Sequence, residues 1–324
     1  MAQQLAQLVA QQATKAGVSK LVLQWYLLET DDDPGTGAET DNRDLPRTGT
    51  TKSLIFNISA LANGTTGHSI QNFAAQLDQL RIGAVESNRV SEIDGEDLFN
   101  FNVLIDNHPF FHTSTTNNQV ISIGMTYPLD PFCYGSYVDY NQSYGISANV
   151  ARKVEFLYAA DGSAIDDKQM AIGAIVKSSP GDDTNTLGYT CFTRDSQTAA
   201  NNRNDFLTVP QPGQLLGVFG FETNDTAAAQ TTERTANDIQ EQAITINRKD
   251  VLGPIYPDVA KDFNGQYELG SIGDEGYWFW NLGWRNEIGQ LGRGPIPDKL
   301  EIRSRGGSDA GAYRMHAVRL NTNV

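Results

Sequence analysis

Three segments in the first half of this 324-residue chain return, in the same order, in the second half. LIFNISALANGT from Leu54 resembles LLGVFGFETNDT from Leu215: an apolar run, then an Asn-centred turn ending in Thr65 or Thr226. ESNRVSEIDGEDL and TINRKDVLGPIYPDV share Asn88-Arg89 and Asn247-Arg248, each directly after a strand-like run. KVEFLYAADGSAIDDKQMAIGAIV from Lys153 parallels KLEIRSRGGSDAGAYRMHAVRL from Lys299. Both have Lys-aliphatic-Glu-apolar at the start, a Gly-Ser turn, and a Met near the start of the closing run. One β-hairpin resembles another by chance; three in chain order mark a duplicated unit. Two homologous units are therefore expected, residues 51–180 and 206–324, joined by a loop or linker over 181–205. Each is long enough for a core of ordinary domain size.

The texture inside both units is β. SLIFNISAL, QLRIGAV, NQVISIGMTY, RKVEFLY, MAIGAIV, LLGVFGF, QAITIN, YWFWNLGW, KLEIRS and YRMHAVRL are short apolar or alternating runs separated by Gly, Asn, Asp and Ser clusters. Such spacing with little helical periodicity indicates a mostly β sandwich or barrel class. Before Thr51 the chain reads differently. Leu5, Leu8 and Val9 lie at helical spacing in a Gln/Ala background that Gly17 interrupts, which predicts a short N-terminal helix. KLVLQWYLL follows as a strand or extended arm, and DDDPGTGAETDNRDLPRTG as a long acidic loop, so residues 1–50 are expected to be helix and arm. No signal peptide and no membrane span are expected.

Charge and side-chain chemistry exclude more than they suggest. The formal charge of -15 makes a surface that repels phosphate, so direct nucleic-acid binding is not expected. Cys133 and Cys191 sit in no C-x-x-C pair and read as small buried apolar groups. His68, His108, His112 and His316 lie in unrelated contexts without a nucleophile elbow, so no catalytic triad is assigned. In NHPFFH, Pro109 argues for a loop rather than a helical metal pair. The acidic stretches Glu29 to Asp33, Asp94 to Asp97 and Asp182-Asp183 lack Ca²⁺-loop spacing and read as solvated loops. No catalytic, cofactor-binding or metal residue is nominated, and no cofactor.

LDQLRIGAVESNRVSEIDGEDLFNFN resembles a stretch of the double jelly-roll major capsid proteins of tailless icosahedral viruses and bacteriophages, which often contain an internal membrane. That stretch runs strand, tight turn, strand, then a short helix opened by an acidic Gly-Glu-Asp-Leu run. VISIGMTYPLDPF is similar to the family's strand with a proline-containing exit, and YWFWNLGW, DKLEIRS and YRMHAVRL are similar to its closing strands. One departure is VLGPIYPDV, whose Pro254 and Pro257 are expected to prevent the same helix start in the second half.

The resemblance implies two tandem eight-stranded jelly-roll barrels and a non-enzymatic structural role. Three copies would place six barrels around one axis, giving homotrimeric, pseudo-hexameric capsomers that tile an icosahedral shell through trimer-to-trimer contacts. Penton or spike and minor capsid proteins would be partners, and an internal membrane would be reached through the N-terminal helix. The location implied is the capsid shell of the virion, with the host cytoplasm before assembly. The alternative from the residues is an acidic β-sandwich carbohydrate-binding protein, lectin-like or a receptor-binding spike, with Trp278, Trp280 and Trp284 as a stacking platform. Against it, large apolar side chains in strand alternation usually point into a core.

Overall fold

The computed structural model describes residues 22–32, 39–47, 49–63, 73–84, 89–105, 109–131, 133–134, 137–138, 144–147, 152–159, 165–178, 188–198, 203–210, 214–223, 239–257, 259–260, 277–284, 299–306 and 312–321. The expected N-terminal helix lies outside them.

The first half runs β1 (Val22–Asp32), β2 (Glu39–Asp44), β3 (Thr50–Ala62), β4 (Leu77–Ala84), β5 (Arg89–Ile93), α1 (Gly95–Leu104), β6 (Phe110–His112) and β7 (Val120–Pro128). The short β8 (Cys133–Tyr134), β9 (Tyr137–Val138) and β10 (Ile146–Ser147) precede β11 (Arg152–Tyr158) and β12 (Ile165–Ser178). These make one sheet in the order β1-β12-β3-β7-β6 and a second in the order β2-β11-β4-β5, with all ladders antiparallel.

The second half runs β13 (Tyr189–Thr198), β14 (Asn204–Thr208), β15 (Gln214–Thr223), β16 (Ile239–Ile246), β17 (Lys249–Ile255), β18 (Tyr277–Asn281), β19 (Leu300–Gly306) and β20 (Ala312–Asn321). Its sheets are β13-β20-β15-β18 and β14-β19-β16-β17. Counting the eight principal strands of each half, both give the orders 1-8-3-6 and 2-7-4-5. That is the connectivity of a jelly roll, twice.

The three repeated segments fall on equivalent strands: β3 with β15, the start of β5 at Arg89 with the turn into β17, and the successive strands β11 and β12 with β19 and β20, each pair divided between two sheets. Asn88 lies outside the described residues. In the turn into β17, Asn247 and Arg248 both hold positive φ (49° and 63°), the backbone a two-residue hairpin loop demands.

Two expectations change. The first barrel begins two strands before residue 51, and the second begins with β13, one strand before the β14 that holds residue 206. β1, expected as a strand or extended arm, and β2, expected as part of the acidic loop, pair with β12 and β11, and β13 and β14 begin inside the stretch expected as linker. Local texture hid them, because β2 is ETDNRD and β13 is YTCFTRDSQT. Only pairing with a distant strand makes such polar segments part of a sheet. The second change is that Pro257 does not block a helix start: Pro257, Val259 and Ala260 are helical, and the Ala260 amide donates to the Tyr256 carbonyl at 3.1 Å. Proline is well suited to the first helical position, where no amide partner is needed.

Alternation places the cores. In β3, Leu54, Phe56, Ile58, Ala60 and Ala62 are buried, while Ile55, Asn57, Ser59 and Leu61 keep solvent contact. The β13-β20-β15-β18 sheet is different, for both its faces are covered. Trp278 and Trp280 enter the second barrel's own core with Val218, Met315 and Ala317. Tyr277, Phe279, Phe219, Val318 and Leu320 point the other way, into an apolar cluster continuous with the first barrel. Burial of both faces is why YWFWN is apolar at every position before its final Asn.

Candidate functional site

The surface where the barrels meet is the most elaborate polar and aromatic construction among the described residues. The first barrel contributes β5 and α1. Asp94 caps the helix, its carboxylate accepting the Asp97 amide at 2.8 Å, and Glu96 and Asp97 fill the first turn, where the helix dipole favours negative charge. The second barrel contributes the outer face of β13, β15, β18 and β20.

Asp97, fully buried, is the centre. It accepts from Arg314 Nη2 at 2.7 Å, from His316 Nε2 at 2.7 Å and from the Tyr277 hydroxyl at 3.3 Å. Arg314 also reaches Glu96 at 3.5 Å and lies 4.7 Å above the Phe221 ring, and Arg194 on β13 pairs with Asp94 at 3.2 Å. Burial raises the Asp97 carboxyl, but Arg314 and His316 outweigh it and hold the group well below the usual carboxylate range. Burial, reinforced by the Asp97 charge, pushes Asp94 up to about 7 and raises Glu96 as well. His316 Nδ1 has no hydrogen-bond partner among the described residues.

Beside this network lies an aromatic box. Phe101 of α1 meets Phe192, Phe219, Phe279 and Trp284 edge-on, at ring-centroid distances of 5.0, 5.4, 5.3 and 5.3 Å. Each such pair adds about 0.5–1.5 kcal/mol beyond burial. The seam is closed by backbone contacts too: the Phe192 amide donates to Ser91 Oγ (2.8 Å), the Thr190 amide to the Leu129 carbonyl (2.9 Å), and the Tyr127 hydroxyl to the Thr190 carbonyl (3.0 Å). The two barrels are thus one packed body. A buried ion pair with several hydrogen bonds contributes little net stability but penalises every misaligned docking, so the network fixes the angle between the barrels.

The residues weighed in the sequence now have places. Trp278, Trp280 and Trp284 are 1%, 8% and 0% exposed, so no ring face is free to stack on a sugar. Cys191 is buried, and burial pushes its thiol up to about 12. His112 is on β6; His68 and His108 fall outside the described residues, as do Asp182-Asp183. Glu29 to Asp32 lie on β1, and Asp33 lies outside the described residues. Asp94 to Asp97 are not the solvated loop expected but the buried helix start. Their partners Arg194, Tyr277, Arg314 and His316 lie 100 to 219 residues away, and spacing carries no signal of that. Among the described residues no group of three or more His, Cys, Asp or Glu side chains is placed to hold a metal ion.

No family model and no curated protein matches the sequence. Solved structures do match. The major capsid protein of Sulfolobus turreted icosahedral virus aligns over 92% of this chain and 96% of its own, with a TM-score of 0.64 at 10% identity. That of bacteriophage PM2 aligns over 93% and 98%, with a TM-score of 0.59 at 12% identity. The capsid chain of the virus PBCV-1 aligns over 93% and 95%, with a TM-score of 0.56 at 10% identity. The fold of this chain is the double jelly roll of viral major capsid proteins.

Proposed function

We propose that this chain is the major capsid protein of a tailless icosahedral virus, that three copies form a pseudo-hexameric capsomer, and that capsomers tile the shell. The observation that carries the reading is the rigid fusion of two equivalent barrels over nearly all of the described chain. Such a body offers repeated docking surfaces. The match to viral major capsid proteins over more than nine-tenths of both chains supports it. The role is structural rather than catalytic, and its place is the virion shell, after a period in the host cytoplasm. Penton or spike proteins, minor capsid proteins and an internal membrane met by the N-terminal segment are the further partners this role brings.

Light scattering on the purified chain tests the reading. The expected particle has three times the 35.4 kDa chain mass. A single-chain mass at every concentration and salt would exclude it.

A further inference from the structure

The joint inside one chain has a clear grammar: the β5 edge and the helix start that follows it dock on the outer face of the next barrel's β13-β20-β15-β18 sheet. The second barrel presents the counterpart of the donor half. β17 is the edge strand equivalent to β5, it is exposed along nearly its whole length, and it too is followed by a helix start. Its large apolar side chains lie bare, with Val251 48%, Leu252 39%, Tyr256 55% and Val259 51% exposed. Apolar groups clustered in this way on an edge strand mark a surface that another chain covers.

The first barrel presents the counterpart of the acceptor half. The outer face of its β1-β12-β3-β7-β6 sheet carries Ile55, Leu61 and Ile175 partly exposed, with Phe110 56% and Val120 54% exposed. Across the described side chains of β3, β6 and β7 on that face, and of β12 from Gln169 to Ile175, no Asp, Glu, Lys or Arg stands; His112 is the one titratable group. That is notable in a chain of net charge -15.

The two halves also match in detail. With Met170 set against Met315, both in their barrel cores, Gln169 and Ala171 occupy the positions of Arg314 and His316. Tyr256 precedes its helix start as Asp94 does, and Val259 is its third residue as Asp97 is. Where the internal joint sets a carboxylate against a guanidinium and an imidazole, the free surfaces set an apolar side chain against an amide and a methyl group.

We propose that the internal joint is repeated between chains: the β17 edge with Tyr256 and Val259 of one copy docks on the uncharged stretch of the outer face formed by β3, β6, β7 and Gln169 to Ile175 of β12 in a second copy. This deepens the capsomer reading and rests on it. The contact is head to tail, so it generates a ring and not a two-fold dimer, and six equivalent barrels close the ring with three chains.

A charge swap tests it. Val259→Asp buries an unpaired carboxylate in the proposed contact, and Gln169→Arg added to it recreates the Asp97–Arg314 pairing across chains. Both sites are at the surface, and unchanged thermal melting checks that each variant folds; Leu252→Asp replaces Val259→Asp if melting is lowered. By light scattering the wild type is expected at the three-chain mass, Val259→Asp at the one-chain mass, and the double variant at the three-chain mass again. A trimeric wild type whose Val259→Asp and Leu252→Asp forms stay trimeric overturns the docking surface and leaves the capsomer reading standing. Dissociation by Val259→Asp with no recovery on adding Gln169→Arg overturns the choice of the acceptor face. A wild type that is monomeric throughout removes the capsomer reading and this contact with it.

Discussion

Gly220 shows how far single residues set this fold. It lies on β15 directly opposite Trp278 on β18, and a Cβ there would fall inside the Trp278 indole. The ring fills the space a side chain would take and reaches Gln242, to which its Nε1 donates at 2.9 Å. Gly220→Ala must therefore push a buried indole off its hydrogen bond. Overpacking of this kind costs roughly 1–3 kcal/mol, which a urea titration would read as a lower midpoint with an unchanged slope. An unchanged midpoint would mean that the sheet yields at no cost. Nothing local in LLGVFGF separates Gly220 from any flexible glycine; its role follows from the register of β15 with β18.

At the scale of elements, the joint between β5–α1 and the β13-β20-β15-β18 sheet ties assembly geometry to proton binding. Asp94 has its folded-state affinity for a proton raised by burial and by the Asp97 charge, from an ordinary value of 3.8 to about 7. A carboxyl raised in this way favours the fold most at low pH, and its contribution is lost as pH rises from about 4 through about 7. Asp97 acts in the opposite sense. Its depressed carboxyl supports the fold throughout the neutral range, and that support fades only in strong acid. Asp94→Asn keeps the helix cap, since Asn caps as well as Asp, and removes the titration. Thermal melting of the wild type should fall between pH 4 and pH 7 more steeply than that of Asp94→Asn; parallel profiles would show that Asp94 is not the group responsible. Of this joint the sequence showed the apolar YWFWN strand, and the family resemblance implied the EIDGEDL helix start. It did not show that they meet, because single-chain patterning reports which face is apolar and not what covers it. The ten runs read as strands from their texture all lie on strands, and the three repeats on equivalent ones. β2, β13 and β14 were misplaced because their polar or acidic sequences become sheet only through partners 93 to 132 residues away.

At the scale of the whole molecule, two kinds of contact answer salt differently. Within a capsomer the proposed contact is apolar and carries no ionic groups at its centre, so salt has little to screen there. Between the proposed capsomers the long-range force would be repulsion, since every chain carries a formal charge of -15, and it would keep free capsomers apart. Lattice contacts must therefore depend on short-range complementary patches that act only when the repulsion is shortened. The screening length is ~10 Å at 0.1 M salt and ~3 Å at 1 M. Light scattering over that range should find the three-chain particle unchanged at both ends and larger assemblies growing as salt is added. A three-chain particle that dissociates as salt rises would mean that ion pairs, and not the apolar edge of β17, close the ring. Assemblies that shrink with added salt would mean that attraction between opposite charges, and not relief of repulsion, builds the lattice.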